Sequence, residues 1–168
     1  LEQSVLALKD HLSFTEIPAA KMSDIPTCYG GDYGPDLPYV ARYNGYDENK
    51  IIHIHSSTQY LIYMMGFTAG FPYLGGMSPD IATPRQSVPR SHIPGGSVGI
   101  AGEQTGIYPL DTPGGWQIIG RTPLRLYNPL EPSPILLEAG NYLQFVPINE
   151  KQYQNIEQEI EAGTYKIN

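Results

Sequence analysis

Apolar positions recur at more than one spacing along this chain, and the change of spacing divides it. Near the start, Val5, Leu8 and Leu12 fall at helical spacing over two turns. Two turns do not stand alone in water, so the stretch reads as the tail of something larger or as a docking helix. From Met22 the pattern changes. Ile25 to Tyr29 reads as a strand broken by Gly30-Gly31. Asp36 is placed to cap a short helix through Val40 and Ala41, closed at Asn44-Gly45. Asp47 can start a second helix over Glu48 to His55. Gln59 to Phe67 is an apolar, β-rich run that reads as a buried strand. Ser97 to Ala101, Gln117 to Gly120 and Arg125 to Tyr127 are expected as further short strands. Asn141 to Ile148 alternates after the turn Glu138-Ala139-Gly140, which predicts a strand with one buried face. The last pattern is helical again. Asn149 and Gln152 make a capping box, Tyr153, Ile156 and Ile160 form the apolar stripe, and Gly163 stops it.

Composition explains why strands dominate. The 168 residues include 18 Gly and 16 Pro. Gly weakens helix interiors by entropy and Pro by its missing N–H. A chain so punctuated predicts a mainly β fold, with short strands joined by tight turns as in a barrel or sandwich. Charge narrows the partners. Ten Lys and Arg stand against 17 Asp and Glu, a formal net charge of −7, which disfavours nucleic acid as a partner. No apolar run is long enough to span a membrane, and the first residues do not read as a secretory leader. The single cysteine, Cys28, excludes an intrachain disulfide and suits a reducing cytoplasm. It reads as a small buried hydrophobe.

Candidate chemistry gathers in the Gly/Pro-rich middle. Arg85, Arg90 and Arg121 lie in or beside such segments, where a guanidinium fork can bind carboxylate or phosphate; pairing with Asp80, Glu103 or Asp111 is the competing role. Gln104, Thr105 and Gly106 offer an amide, a hydroxyl and a free backbone to a polar ligand, or satisfy their own turn. Gly96, Gly99, Gly102 and Gly106 serve tight turns and close strand packing, or an anion nest. Tyr73, Tyr108 and Trp116 can wall a pocket or fill the core, and the core is the expected place for Trp116. Of His53 and His55, which cannot share a helical face as a metal pair, His55 is the better catalytic candidate because it ends an element. A structural role competes with it. Asp36 is a candidate base as well as a cap. No metal-binding set, Walker loop or nucleophile elbow is present.

Four strings together resemble one family: CYGGDYGPDL (28–37), MGFTAGFPYLGG (65–76), ATPR (82–85) and PGGSVGIAGEQTGIYPLDTPGGWQIIGRTP (94–123). They are similar to the KipI family of 5-oxoprolinase and allophanate hydrolase subunits, a carboxyltransferase domain of subdomains C and D. The resemblance covers about residues 22 to 148 and implies a cyclophilin-like β-barrel with short flanking helices, preceded by a small α/β domain. Residues 1–20 would then be the end of that domain and a connector, 21–150 the barrel, and 151–168 a C-terminal helix. It further implies a non-autonomous subunit of a bacterial ATP-dependent 5-oxoprolinase, working in the cytoplasm with partners of the KipA type and of the LamB/YcsF type. ATP with Mg²⁺ would act at the level of the complex. Two other activities occur in the family: inhibition of a sporulation histidine kinase, and carboxyl transfer of the urea carboxylase kind. Carried onto this chain, the resemblance makes His55 and Asp36 catalytic candidates. It makes Arg85, Arg90, Gln104, Thr105, Tyr108 and Arg121 substrate- or nucleotide-binding candidates. Ala69 stands where the family usually has Pro, and Ser91-His92 where it usually has Thr-Arg, which removes one positive charge.

Overall fold

The computed structural model describes residues 19–167. The helix expected around Val5 to Leu12, and nearly all of the 1–20 connector, lie outside the described residues. The elements run β1 (Met22–Tyr29), α1 (Leu37–Asn44), α2 (Glu48–Ser56), β2 (Gln59–Met65), β3 (Pro72–Gly75), a 3-10 turn (Pro79–Ile81), β4 (Arg90–Ile93), β5 (Ser97–Ala101), β6 (Gln104–Ile107), β7 (Thr112–Gly114), β8 (Gln117–Arg121), β9 (Tyr142–Ile148) and α3 (Glu150–Glu161).

Local chemistry sets the helix ends. Gly45, at φ 72, closes α1. The Asp47 carboxylate accepts the Lys50 N–H at 2.7 Å and starts α2. At α3, Asn149 accepts the Gln152 N–H and Gln152 accepts the Asn149 N–H, both at 2.9 Å, so the capping box is formed.

Seven strands make one sheet in the order β3-β2-β9-β1-β8-β5-β6, and β4 pairs with β7 apart from it. All pairs are antiparallel except β1 with β9, which run parallel in the register Met22–Tyr142 to Cys28–Ile148. The outer strands β3 and β6 lie beside each other, so the sheet curls into a nearly closed barrel. Pro26 sits in central β1 without breaking a ladder bond on the second side. There, β8 pairs only with Cys28 and Tyr29, which leaves the Pro26 stretch bonded to β9 alone.

The core fills the barrel and continues under the helices. Ile25, Val98, Ile100, Ile107, Ile119, Leu143 and Phe145 from strands meet Leu37, Val40 and Ile51 from α1 and α2. Full burial of such a side chain stabilises by roughly 1.5–3 kcal/mol. Cys28 is buried as expected.

Three expectations are corrected. The Gln59 run ends as a strand at Met65 and buries one face only: Tyr60 and Ile62 point in, Tyr63 and Met64 out. Arg125 to Tyr127 forms no strand but a single bridge from Tyr127 to Ile135. Beside that bridge the Leu136 N–H donates to the Leu126 carbonyl at 3.0 Å and the Asn128 N–H to the Pro134 carbonyl at 2.8 Å, and the Leu126 side chain is held by core packing. Gln104 to Gly106 is not a polar turn; it opens strand β6, with Thr105 and Gly106 buried.

Candidate functional site

An aromatic cleft of about 220 Å³ opens at the barrel surface, walled by Phe71, Tyr73, Tyr108 and Trp116, with Arg85 and Gln104 among its lining residues. Two glycines build it. Gly99 and Gly106 face each other across β5 and β6, and the half-buried Trp116 lies against both. A Cβ on Gly99 would stand 3.1 Å from the Trp116 Cβ, and one on Gly106 3.1 Å from the indole ring. The glycine series therefore serves close packing here. Trp116 is a wall of the cleft, not a core residue. Phe71 meets its ring edge-on at 5.9 Å and Tyr108 at 6.0 Å. Arg85 is exposed, with its guanidinium carbon 5.9 Å from the Trp116 centroid, a cation–π distance.

Arg85 also lines a polar cleft of about 480 Å³ with Asp36, Tyr39, Gln86 and Gln117, so the two openings meet at this residue. Asp36 occupies the cap position of α1, but its carboxylate makes no cap bond. It accepts from the Ile118 N–H at 2.6 Å, from Arg90 Nη2 at 2.7 Å and from Gln86 Nε2 at 3.2 Å. The Asp36 N–H in turn donates to the Ile118 carbonyl at 2.9 Å. The residue clamps the β1–α1 loop to β8 and positions Arg90. Three donors leave its carboxylate poorly placed as a free base.

His55 is sealed in the core at 0 % exposure. Thr105 Oγ1 donates to the Gly99 carbonyl at 3.0 Å, so it accepts from Nε2–H of His55 at 2.8 Å. The other ring nitrogen, Nδ1, then accepts from the Tyr29 hydroxyl at 2.8 Å. Burial holds the imidazole pKa down at about 3 and the Tyr29 phenol well above its ordinary value. The chain Tyr29–His55–Thr105–Gly99 ties β1, α2, β6 and β5 together with neutral groups. His55 and Thr105, expected as catalytic and ligand-binding residues, both lie in this buried chain, out of reach of solvent. His53, by contrast, is exposed.

The expected arginines separate. Arg85 belongs to the aromatic and polar clefts, whereas Arg90 and Arg121 line a third of about 170 Å³. A further cleft of about 600 Å³ lies between residues 124–136 and the end of α3, and contains none of the expected site residues. Phe71, Gln86 and Ser97 were not singled out by the sequence. Phe71 and Ser97 each sit inside one of the family strings, which was a usable signal; Gln86 lies outside them and carries none. Among the described residues, no group of three or more His, Cys, Asp or Glu gathers as for a metal ion, and no helix is long and apolar enough to cross a membrane.

Comparison with known proteins agrees with this architecture. Residues 1–137 match the family described as carboxyltransferase domain, subdomain C and D. The chain is 55% identical over 139 residues to a 5-oxoprolinase subunit of Bacillus subtilis, covering 83% of this chain and 58% of that protein. It is 49% identical over 133 residues to the corresponding 5-oxoprolinase subunit of Escherichia coli O157:H7, covering 79% and 61%. The crystal structure of a conserved uncharacterized protein from Pyrococcus horikoshii superposes with a TM-score of 0.77 at 53% identity, over 79% of this chain and 62% of that one. The chain thus spans about three fifths of the length of these relatives.

Proposed function

This chain belongs to the carboxyltransferase domain family, subdomain C and D, and from that premise we propose that it is the barrel portion of a subunit of an ATP-dependent 5-oxoprolinase. The observation that carries this is its likeness to two bacterial proteins named as 5-oxoprolinase subunits. The aromatic cleft supports it chemically. The substrate, 5-oxoproline, is a five-membered lactam bearing a carboxylate. On this reading its ring would lie between Phe71, Tyr108 and Trp116, with the Arg85 fork at the carboxylate and the Gln104 side-chain amide at the lactam, all residues of the cleft lining.

Arg85, Gln86 and Gln104 are cationic or neutral, a set suited to carboxylate or phosphate oxygens and not to a metal ion. The Mg²⁺ of ATP would arrive with the nucleotide, and phosphoryl activation of the lactam belongs to the assembled enzyme. In it, partner subunits of the KipA type and of the LamB/YcsF type complete the site. This chain's part is to bind and orient the lactam and to exclude water from one face of it.

Carboxyl transfer is the second reading, favoured by the family's own description. The two separate on substrate. The protein that carries this barrel, combined with its partner subunits and ATP, is expected to convert 5-oxoproline to glutamate and to leave urea untouched. Biotin-dependent carboxylation of urea without 5-oxoproline turnover would favour the second reading.

A further inference from the structure

The third cleft carries an inference of its own. It shares no lining residue with the aromatic cleft. A small apolar cluster of Ile93, Tyr108, Ile118 and Trp116 stands between them: Ile93 and Ile118 line this cleft, Tyr108 and Trp116 the other. Three of its lining residues, Arg90, Ser97 and Arg121, contribute a buried polar atom with no hydrogen-bond partner: Arg90 Nη1, Ser97 Oγ and Arg121 Nε. Ser97 is wholly buried. Native proteins rarely leave one such donor unmatched, and three in residues that line one small cleft call for an acceptor beside them.

The donors are held in place. Arg90 is anchored through its other terminal nitrogen to Asp36 at 2.7 Å, and the Arg121 guanidinium carbon lies 5.8 Å from the Tyr33 ring centroid. Ser97 is fixed in β5, its Cα paired in register with Arg121 of β8. Asp32, exposed, is the carboxylate in the lining, and His92 turns toward Asp111 at 3.8 Å. With Asp36 paired to Arg90 and Asp32 at the rim, the two arginines and two carboxylates balance in formal charge, so the case for an acceptor rests on the unmatched donors.

We infer that this cleft binds a tetrahedral oxyanion of the phosphate class through Arg90, Ser97 and Arg121. Three donors from three strands or strand ends match the several oxygens of phosphate better than the two of a carboxylate. At about 170 Å³, the cleft holds a phosphate group and is below the ~300 Å³ usual for sites that enclose larger ligands. The inference rests on these donors and not on the 5-oxoproline proposal.

Its test is a titration of the full 168-residue chain with inorganic phosphate, at ionic strength held constant with sodium chloride, followed by calorimetry and by the melting temperature. Parallel titrations use acetate and ADP. Saturable phosphate binding is expected, with a rise in Tm, and acetate should not reproduce it. Arg121→Gln should weaken binding at least tenfold, while Arg125→Gln, which removes the same charge elsewhere, should not. Ser97→Ala guards against misfolding: it deletes an unmatched hydroxyl, so the phosphate-free Tm should hold or rise while phosphate affinity falls severalfold. Binding of ADP but not of inorganic phosphate, lost in Arg121→Gln, would place the phosphate on a nucleotide; binding of phosphate alone makes the free anion the ligand. No saturable binding of either, equal response of Arg121→Gln, or equal binding of acetate would overturn the inference.

Discussion

At the scale of single residues, His55 shows how burial redirects chemistry. Its imidazole is neutral in the folded protein, with a pKa of about 3, against ~6.5 when unfolded. The unfolded chain therefore binds the extra proton first as the pH falls. Stability contributed by the neutral ring is fully present above pH ~6.5 and is lost on acidification toward pH 3, at ~1.4 kcal/mol per pH unit. Denaturant unfolding at pH 7, 6, 5 and 4 checks this. His55→Gln should be less stable at pH 7 by ~1–3 kcal/mol, because Tyr29 and Thr105 lose a matched partner. It should also have a flatter pH profile than the parent; equal slopes would remove His55 as the cause. The caps at Asp47 and Asn149 were legible in the sequence because their partners lie three residues on. Asp36 was not, because Gln86, Arg90 and Ile118 reach it from 50, 54 and 82 residues away. A local rule assigned it a cap, and tertiary partners took its carboxylate.

At the scale of elements, the cleft depends on two strands leaving room for one indole. Gly99 and Gly106 form a flat cross-strand pair under Trp116. Gly106→Val would push branched carbons into the indole and into Phe71, whose ring carbon is 3.3 Å from where a Cβ would stand. The expected cost is ~1–3 kcal/mol. Trp116 is the chain's one tryptophan, so its fluorescence reports the displacement directly. Emission should shift to longer wavelength as the ring leaves its seat, and unchanged emission with unchanged Tm would contradict the packing described. The glycine spacing was visible in the sequence; its purpose was not, because Trp116 arrives from beyond β7. The strands β3, β4, β6 and β7 escaped for a related reason. They are three or four residues long and carry Gly or Pro or mixed polar positions, too short for a period of two to register.

At the scale of the molecule, the Gly and Pro content pointed to a barrel or sandwich, and a nearly closed barrel is what forms. Strand order was beyond reach: β9, the last strand, inserts between β1 and β2, a pairing of segments far apart in the chain that no local spacing encodes. The same closure divides the cationic residues between separate clefts, so one string of family motifs serves two places on the surface. On the proposed function, Arg85 and the aromatic cleft hold the substrate of a 5-oxoprolinase, and this chain acts only with its partners. The most direct test of that reading is ATP-dependent formation of glutamate from 5-oxoproline by the reconstituted complex, with and without Arg85→Gln in the protein that carries this barrel. No turnover is expected from the chain alone. In the complex the variant should lose about 10- to 150-fold in kcat/KM, the equivalent of a charged hydrogen bond worth ~1.5–3 kcal/mol. Unchanged kcat/KM in Arg85→Gln, or turnover by the isolated chain, would contradict it.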